Sequence, residues 1–202
     1  MKPKPSKISA ILFLALFPFT PSLAGQESSP SGEWDVTLPR GQTRSIDFET
    51  SEGTWTSLDV SPDGRWVVFD LLAHVYRIPI GGGEAELLTR DAGVSTNYHP
   101  KYSPDGSRIA FISDRGGQNN LWVMNADGSN PRAVLDDQNV RVLEPTWTAD
   151  GQYIVVQRQP LPPPGQAPGG RGLWMYHVDG GSGVELTDLA GASWPSMESS
   201  GQ

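Results

Sequence analysis

Short hydrophobic runs alternate with polar turn clusters along most of the chain after about residue 54. Three of these runs are built of four apolar or aromatic residues, and they lie at 66–69, 109–112 and 153–156. Runs rich in β-branched and aromatic residues, bounded by Gly, Pro, Asn and Asp, are typical of β-strands. The hydrophobic pattern therefore predicts an all-β fold made of many short strands.

The turns before these runs repeat one motif. Ser-Pro-Asp-Gly at 61–64 recurs at 103–106 and, as Thr-Ala-Asp-Gly, at 148–151, so the copies are 42 and 45 residues apart. Gly supplies the positive φ of a tight turn, and Asp accepts hydrogen bonds from backbone N–H groups there. We therefore interpret the repeated Asp-Gly pairs as structural turn residues. They are Asp63, Gly64, Asp105, Gly106, Asp150 and Gly151.

A second turn signal lies inside each repeat, at 81–83, 127–128 and 179–181, and strand-like segments flank it. Each repeat then contains four short strands, and four strands in about 40–45 residues is the period of a β-propeller blade. A β-sandwich also has short strands and regular turns, but it needs no sequence repeat of fixed length. The fixed period favours the propeller.

The repeats divide the chain at about 54–91, 92–137 and 138–188, and residues 189–202 correspond to the first strand of a fourth repeat. Ile46 and Phe48 alternate with polar residues and predict a further half-buried strand at 43–50. Propellers need about four to eight blades to close. We therefore expect an incomplete propeller of about three four-stranded blades, and the hypothesis is that the chain is a fragment of a longer protein.

The N-terminus has the pattern of a secretory signal peptide. Lys2, Lys4 and Lys7 precede a mostly apolar stretch at 8–19, and small residues lie at 22 and 24. We predict a signal peptide at 1–24, a disordered polar leader at 25–33 and a partial propeller at 34–202. The expected location is the periplasm or the exterior, with no membrane association after cleavage.

Composition and charge narrow the possible functions. Gly and Pro together make 41 of 202 residues, counted as 23 and 18, which is too many for a helical bundle. The net charge of −8 argues against a nucleic-acid partner, which would need a basic surface. The absence of Cys excludes disulfides, thiolate metal sites and a Cys nucleophile.

Several strings resemble known propeller repeats. The Ser-Pro-Asp-Gly turns, Ser113-Asp114-Arg115 and the segment 121–128 resemble the TolB-type β-propeller repeat. More specific strings resemble the N-terminal propeller region of secreted amidohydrolase-family proteins. They lie at 34–37, 52–55, 58–60, 68–72, 174–177 and 180–184.

Candidate catalytic and metal-binding groups are scarce in the sequence. His74, His99 and His177 are isolated, whereas a metal site needs three or four converging ligands. Gly180-Gly181-Ser182-Gly183-Val184 lacks the last Gly of the G-x-S-x-G serine-hydrolase motif. We therefore expect no catalytic, cofactor-binding or metal-binding residues in this chain.

Ser113-Asp114-Arg115 is the most notable polar cluster. It is placed at a strand end, where Asp114 and Arg115 could pair across neighbouring blades or line a central channel. A structural role as an inter-blade polar tie is favoured, because blades need polar contacts at their strand ends.

The resemblance implies a non-catalytic propeller that scaffolds or gates a metal-dependent hydrolase domain absent from this chain. Zinc or another divalent metal would belong to that domain, and the partner would be that domain or a periplasmic protein. Two alternatives stay open: a TolB-like periplasmic protein-interaction module, and the propeller of a prolyl-oligopeptidase-like serine peptidase. Alone, the chain is expected not to be an enzyme.

Overall fold

In the part of the chain that the computed structural model describes, twelve β-strands form three four-stranded antiparallel sheets. The structure describes residues 35–44, 49–50, 52–53, 55–167, 169–187 and 195–196. The signal peptide expected at 1–24, the leader expected at 25–33, the centre of the strand expected at 43–50 and nearly all of the segment 189–202 lie outside the described residues. The predicted all-β, unclosed propeller with four strands per blade is confirmed.

Each sheet is one blade, and its strands follow one another in chain order. Blade 1 contains β1 (Leu58–Val60), β2 (Trp66–Leu71), β3 (His74–Pro79) and β4 (Glu86–Leu87). Blade 2 contains β5 (Asn97–Tyr102), β6 (Arg108–Ser113), β7 (Asn120–Asn125) and β8 (Arg132–Ala133). Blade 3 contains β9 (Val140–Trp147), β10 (Tyr153–Pro160), β11 (Gly172–His177) and β12 (Val184–Thr187).

The first strands of successive blades, β1, β5 and β9, lie beside one another and form the inner edge of the assembly. A short 3₁₀ turn at Arg90–Ala92 lies in the connection from the outer strand of blade 1 to the inner strand of blade 2. No helix in the described part of the chain is long and apolar enough to cross a membrane.

The hydrophobic cores lie between blades, because each sheet buries its faces against its neighbours. Blades 1 and 2 share a cluster of seven buried residues. They are Val68, Val75, Leu88, Tyr102, Ile109, Phe111 and Met124. Blades 2 and 3 share a larger cluster that includes Ile112, Leu121, Trp147, Ile154 and Tyr176. Both faces of β6 are buried as a result, so this strand reads as a continuous apolar run.

The repeated Asp-Gly turns connect the first two strands of each blade and have the same geometry. In blade 1 the Ser61 hydroxyl donates to Asp63 Oδ1 at 2.6 Å, and the Trp66 N–H donates to Ser61 Oγ at 2.9 Å. The hydrogen bonds from Ser61 and from the Arg65 N–H lower the pKa of Asp63 to about 2. Gly64 has a φ of 70°, and Gly106 and Gly151 have φ values of 72° and 66°.

Arginine side chains connect each blade to the next one. Arg77 of blade 1 donates to the Ala126 carbonyl of blade 2 at 3.0 Å. Arg132 of blade 2 donates to the Val178 carbonyl of blade 3 at 2.9 Å, and Arg108 donates to the Gly151 carbonyl at 3.0 Å. Charged donors make stronger hydrogen bonds than neutral ones. These contacts add polar connections at the margins of the apolar interfaces.

Candidate functional site

Strained backbone is concentrated at one place in the molecule. Among the described residues, six that are not glycine have positive φ, and four of these line a single cavity of about 230 Å³ between blades 1 and 2. The four are Trp55 (60°), Leu72 (50°), Ala73 (68°) and His99 (53°). Positive φ is unfavourable for residues with a Cβ, and such residues cluster at functional sites. We call this space the rim cavity.

Blade 1 contributes its tight β2–β3 turn to the rim cavity. Leu71 pairs with His74, so Leu72 and Ala73 form a two-residue loop in which both residues have positive φ. This is the pattern of a type I′ turn, for which Asn-Gly is the preferred sequence. The Ala73 carbonyl accepts hydrogen bonds from the Asn97 N–H at 2.9 Å and from Asn97 Nδ2 at 3.0 Å. These bonds hold the turn against β5.

Blade 2 contributes a β-bulge in its inner strand. The register of β5 against β6 shifts between Tyr98 and Lys101, and His99 lies in the bulge before Pro100. The equivalent position in blade 3 is Glu144, which precedes Pro145, has a φ of 55° and lies at the register shift of β9. Bulges re-aim side chains and are common beside active sites.

Asp70 joins the two blades at the wall of the cavity. Its carboxylate accepts the Ser57 N–H at 2.9 Å on Oδ1 and the His99 N–H at 2.8 Å on Oδ2. The residue is only 7% exposed. None of the ion pairs within the described part of the chain includes Asp70. The cavity wall therefore carries a buried carboxylate that is hydrogen-bonded but has no cationic partner there.

Aromatic side chains supply much of the remaining lining. The Trp55 side chain is fully exposed, and the Tyr98 ring packs edge-on against His99 with ring centroids 4.9 Å apart. Burial, with a smaller effect from the charge of Asp114, raises the pKa of Tyr98 to about 12. Burial also lowers the pKa of His99. At neutral pH both side chains are therefore uncharged, and Asp70 is the acidic residue of the cavity lining.

His99 also connects blade 2 to blade 3. The Glu144 N–H lies 3.4 Å from His99 Nδ1, so this ring nitrogen is the acceptor. The N–H of one bulge is thus bound by Asp70 of the preceding blade, and the N–H of the next bulge is bound by His99. This chain of contacts places the rim cavity at the inner edge shared by the three blades.

Asp114 and Arg115, the polar cluster predicted from the sequence, lie behind the cavity. Asp114 Oδ1 accepts the Thr96 N–H at 2.7 Å, and Arg115 Nη2 donates to Asn97 Oδ1 at 2.8 Å. Thr96 and Asn97 both line the rim cavity. These hydrogen bonds stay within blade 2, and the inter-blade role of the pair stays a prediction. Burial lowers the pKa of Arg115, and the charges of Asp114 and, to a smaller extent, Asp91 oppose the shift.

The repeated Asp-Gly pairs lie at the other end of the strands from the cavity, since the β1–β2 and β2–β3 turns close opposite ends of a sheet. Within the described ranges, no three His, Cys, Asp or Glu side chains lie close enough together to hold a metal ion. His74 contacts Thr89, and His177 lies 3.7 Å from Asp179.

In the sequence His99 is isolated from other potential ligands, and no motif marks the other lining residues as functional. These are Trp55, Asp70, Leu72, Ala73 and Tyr98. One signal was present, because His99-Pro100 and Glu144-Pro145 recur 45 residues apart at equivalent positions. A residue before Pro is restricted in conformation, so a repeated X-Pro pair inside a strand indicates a bulge.

Comparisons with known proteins agree with this architecture. The model of the PD40 family, described as the TolB beta propeller domain, matches residues 37–161. Tol-Pal system protein TolB of Anaeromyxobacter dehalogenans is 40% identical over 95 residues, which are 43% of this chain and 20% of that protein. Tricorn protease homolog 1 of Streptomyces coelicolor is 32% identical over 95 residues, which are 47% of this chain and 9% of that protein.

Among solved structures, a putative TolB from Agrobacterium tumefaciens superposes with a TM-score of 0.59 at 26% identity. The match covers 69% of this chain and 52% of that one. The chain therefore spans about half of this structure, and a fifth or less of the two curated relatives.

Proposed function

Because the chain belongs to the TolB β-propeller domain family, we propose that it is the non-catalytic propeller of a secreted or periplasmic amidohydrolase-like hydrolase. In this role the propeller scaffolds or gates a metal-dependent catalytic domain. The observation that carries the proposal is the rim cavity. A propeller used only as a rigid support has no need for four strained residues around one cavity between two blades, whereas a gate needs a shaped contact surface there.

The proposed location follows from the N-terminal sequence, in which three Lys residues precede an apolar stretch at 8–19. The proposed partner is the hydrolase domain of the same protein or another periplasmic protein. Zinc or another divalent metal would be held by residues of the hydrolase domain.

Two alternative functions are each favoured by a relative. Similarity to a Tol-Pal system protein TolB favours a protein-interaction module without a hydrolase domain. Similarity to a tricorn protease homolog favours a propeller that filters substrates for a serine peptidase. Both alternatives use the same blades, and they differ in whether a catalytic domain is attached to the propeller.

Sequencing the gene and its transcript beyond the codon for Gln202 distinguishes these functions. Further blades followed by an H-x-H motif are the result expected for the hydrolase. A G-x-S-x-G motif after the blades would instead support the peptidase propeller. Two or three further blades followed by a stop codon would instead support the interaction module.

Purified protein tests the non-catalytic role directly. The 202-residue chain is expected to hydrolyse no amide or ester substrate, with or without added zinc. Turnover that a chelator abolishes, and that zinc restores, would contradict the proposal.

A further inference from the structure

We propose that the rim cavity binds a primary ammonium group, as on a lysine side chain or a peptide N-terminus, with the Asp70 carboxylate as its counter-ion and the Trp55 indole against its carbon chain. This inference does not depend on which domain or partner the propeller serves. It rests on the hydrogen bonding of Asp70, on the positions of the nearby cations and on the aromatic lining.

The Asp70 carboxylate can accept further hydrogen bonds from a cationic ligand. A carboxylate has about four acceptor positions, and the two backbone N–H donors described above occupy one position on each oxygen. Burying a charge without a partner is costly, and proteins normally pair such groups. Asp70 is 7% exposed and is one of the residues that line the cavity, so the proposed ligand enters beside this carboxylate.

Three described cations interact with residues of the cavity lining, and each also binds a group outside the lining or the lining residue's amide. The Lys101 ammonium lies 3.7 Å from Asp59 Oδ1 and 3.4 Å from the Leu58 carbonyl. Arg115 donates to Asn97 as described, and Arg141 Nε donates to Gln159 Oε1 at 2.8 Å. None of these side chains lines the cavity. Among the described residues, no Lys or Arg side chain therefore lines the cavity beside the Asp70 carboxylate.

Trp55 supplies the second half of the site. The Trp55 indole is fully exposed, so its faces are open to solvent, and the residue is part of the cavity lining. Aromatic faces attract cations and pack well on methylene groups, and Tyr98 adds a second ring. This combination of one carboxylate and two aromatic rings is suited to an alkylammonium ligand.

The geometry favours an ammonium over a guanidinium group. Guanidinium groups bind carboxylates best through two parallel hydrogen bonds that use both oxygens. In Asp70 both oxygens already accept a backbone N–H, which hinders that arrangement. A compact ammonium needs only one free acceptor position, and it fits a cavity of about 230 Å³.

Titration of the full 202-residue chain with small probes tests the proposal, with binding followed by calorimetry or by NMR. Nα-acetyl-lysine amide carries only a side-chain ammonium, norleucine amide carries only an α-ammonium, and Nα-acetyl-norleucine amide carries neither. We expect one of the first two to bind with a Kd of about 1 mM, and the third to bind at least tenfold more weakly. The better of the first two identifies the source of the ammonium group.

Variants assign the binding to the cavity. Asp70→Asn should weaken binding at least tenfold, and Trp55→Ala should weaken it about threefold to tenfold. Asp59→Asn is the matched control, because Asp59 Oδ2 also accepts a backbone N–H of blade 2, from Tyr102 at 2.8 Å, but does not line the cavity. It should leave the Kd unchanged.

Equal affinity for the acetylated norleucine probe, or no binding of either ammonium probe, would overturn the proposal. Unchanged affinity in Asp70→Asn would do the same. If Asp70→Asn does not fold, the exposed Trp55→Ala variant and the acetylated probe still decide, since neither affects the core.

Discussion

Replacing Leu72-Ala73 with Asn-Gly is expected to stabilise the protein. Both residues have positive φ in the two-residue β2–β3 loop, at 50° and 68°. The left-handed conformation costs roughly 1–2 kcal/mol for each residue with an ordinary side chain, and Asn and Gly tolerate it. The double variant should therefore recover about 2–4 kcal/mol of strain.

Two losses reduce this gain. Gly raises the conformational entropy of the unfolded chain by roughly 0.4–1 kcal/mol. Leu72 is 63% exposed, so the loss of its buried part costs about 1 kcal/mol. The net stabilisation is about 1 kcal/mol, which corresponds to a rise in Tm of roughly 2–4 °C for a chain of this size. The hydrogen bonds from Asn97 to the carbonyl of residue 73 are retained, because they involve only its backbone.

Urea unfolding followed by far-UV circular dichroism measures the change. Ala85→Gly is the matched control for the Ala73→Gly half of the variant, because Ala85 is exposed and has no positive φ. The control should lose roughly 0.4–1 kcal/mol. If Ala73→Gly alone destabilises the protein as much as Ala85→Gly does, position 73 is not strained and the reasoning is refuted.

Three further changes probe the blades. Arg77→Leu should lower the free energy of unfolding by about 2 kcal/mol, because it removes a charged hydrogen-bond donor to the next blade. Arg65→Leu, which removes an exposed ion pair, should lower it by less than about 0.5 kcal/mol. Urea unfolding midpoints of the two variants test this difference. Gly128→Ala should lower the free energy of unfolding by about 3 kcal/mol, because the new Cβ would lie 2.6 Å from a backbone carbonyl oxygen of blade 1. At Gly64 a new Cβ has no neighbour within 4 Å, so Gly64→Ala should cost only about 1 kcal/mol of backbone strain. Thermal melts should show the larger loss for Gly128→Ala. Burial holds the pKa of His99 below 6.5, so as the pH falls the unfolded chain takes up a proton on His99 before the folded chain does. The free energy of unfolding should therefore decrease as the pH drops below about 6.5. Urea midpoints between pH 5 and pH 8 should show this decrease, and His99→Gln should make it smaller.

The blades could be predicted from the sequence because their signals are local. Asp63 and Gly64 act within one turn, through hydrogen bonds that span two to five residues, and the same chemistry recurs at the later copies. A local pattern that repeats at a fixed spacing is visible without knowledge of tertiary contacts. The four-stranded blades and their unclosed arrangement follow from it.

The rim cavity could not be predicted in the same way. Asp70 lies in a strand whose neighbours are apolar, and its partners Ser57 and His99 are 13 and 29 residues away. Leu72-Ala73 contradicts the residue preferences of the turn that it forms, so composition gives no signal there. These features depend on how blade 1 packs against blade 2, and that packing is not encoded in a local pattern.

The arginine contacts between blades have a direction. Each donor described above belongs to the earlier blade, and each carbonyl acceptor belongs to the later one. Such a joint is heterologous, because the two surfaces that meet in it are different. If a second copy of blade 2 were inserted after blade 2, its arginines would face the carbonyl acceptors of blade 3. Its own carbonyl groups would face the arginines of the original blade 2. The fold is therefore built so that internal duplication of a blade lengthens the array without creating a new kind of joint.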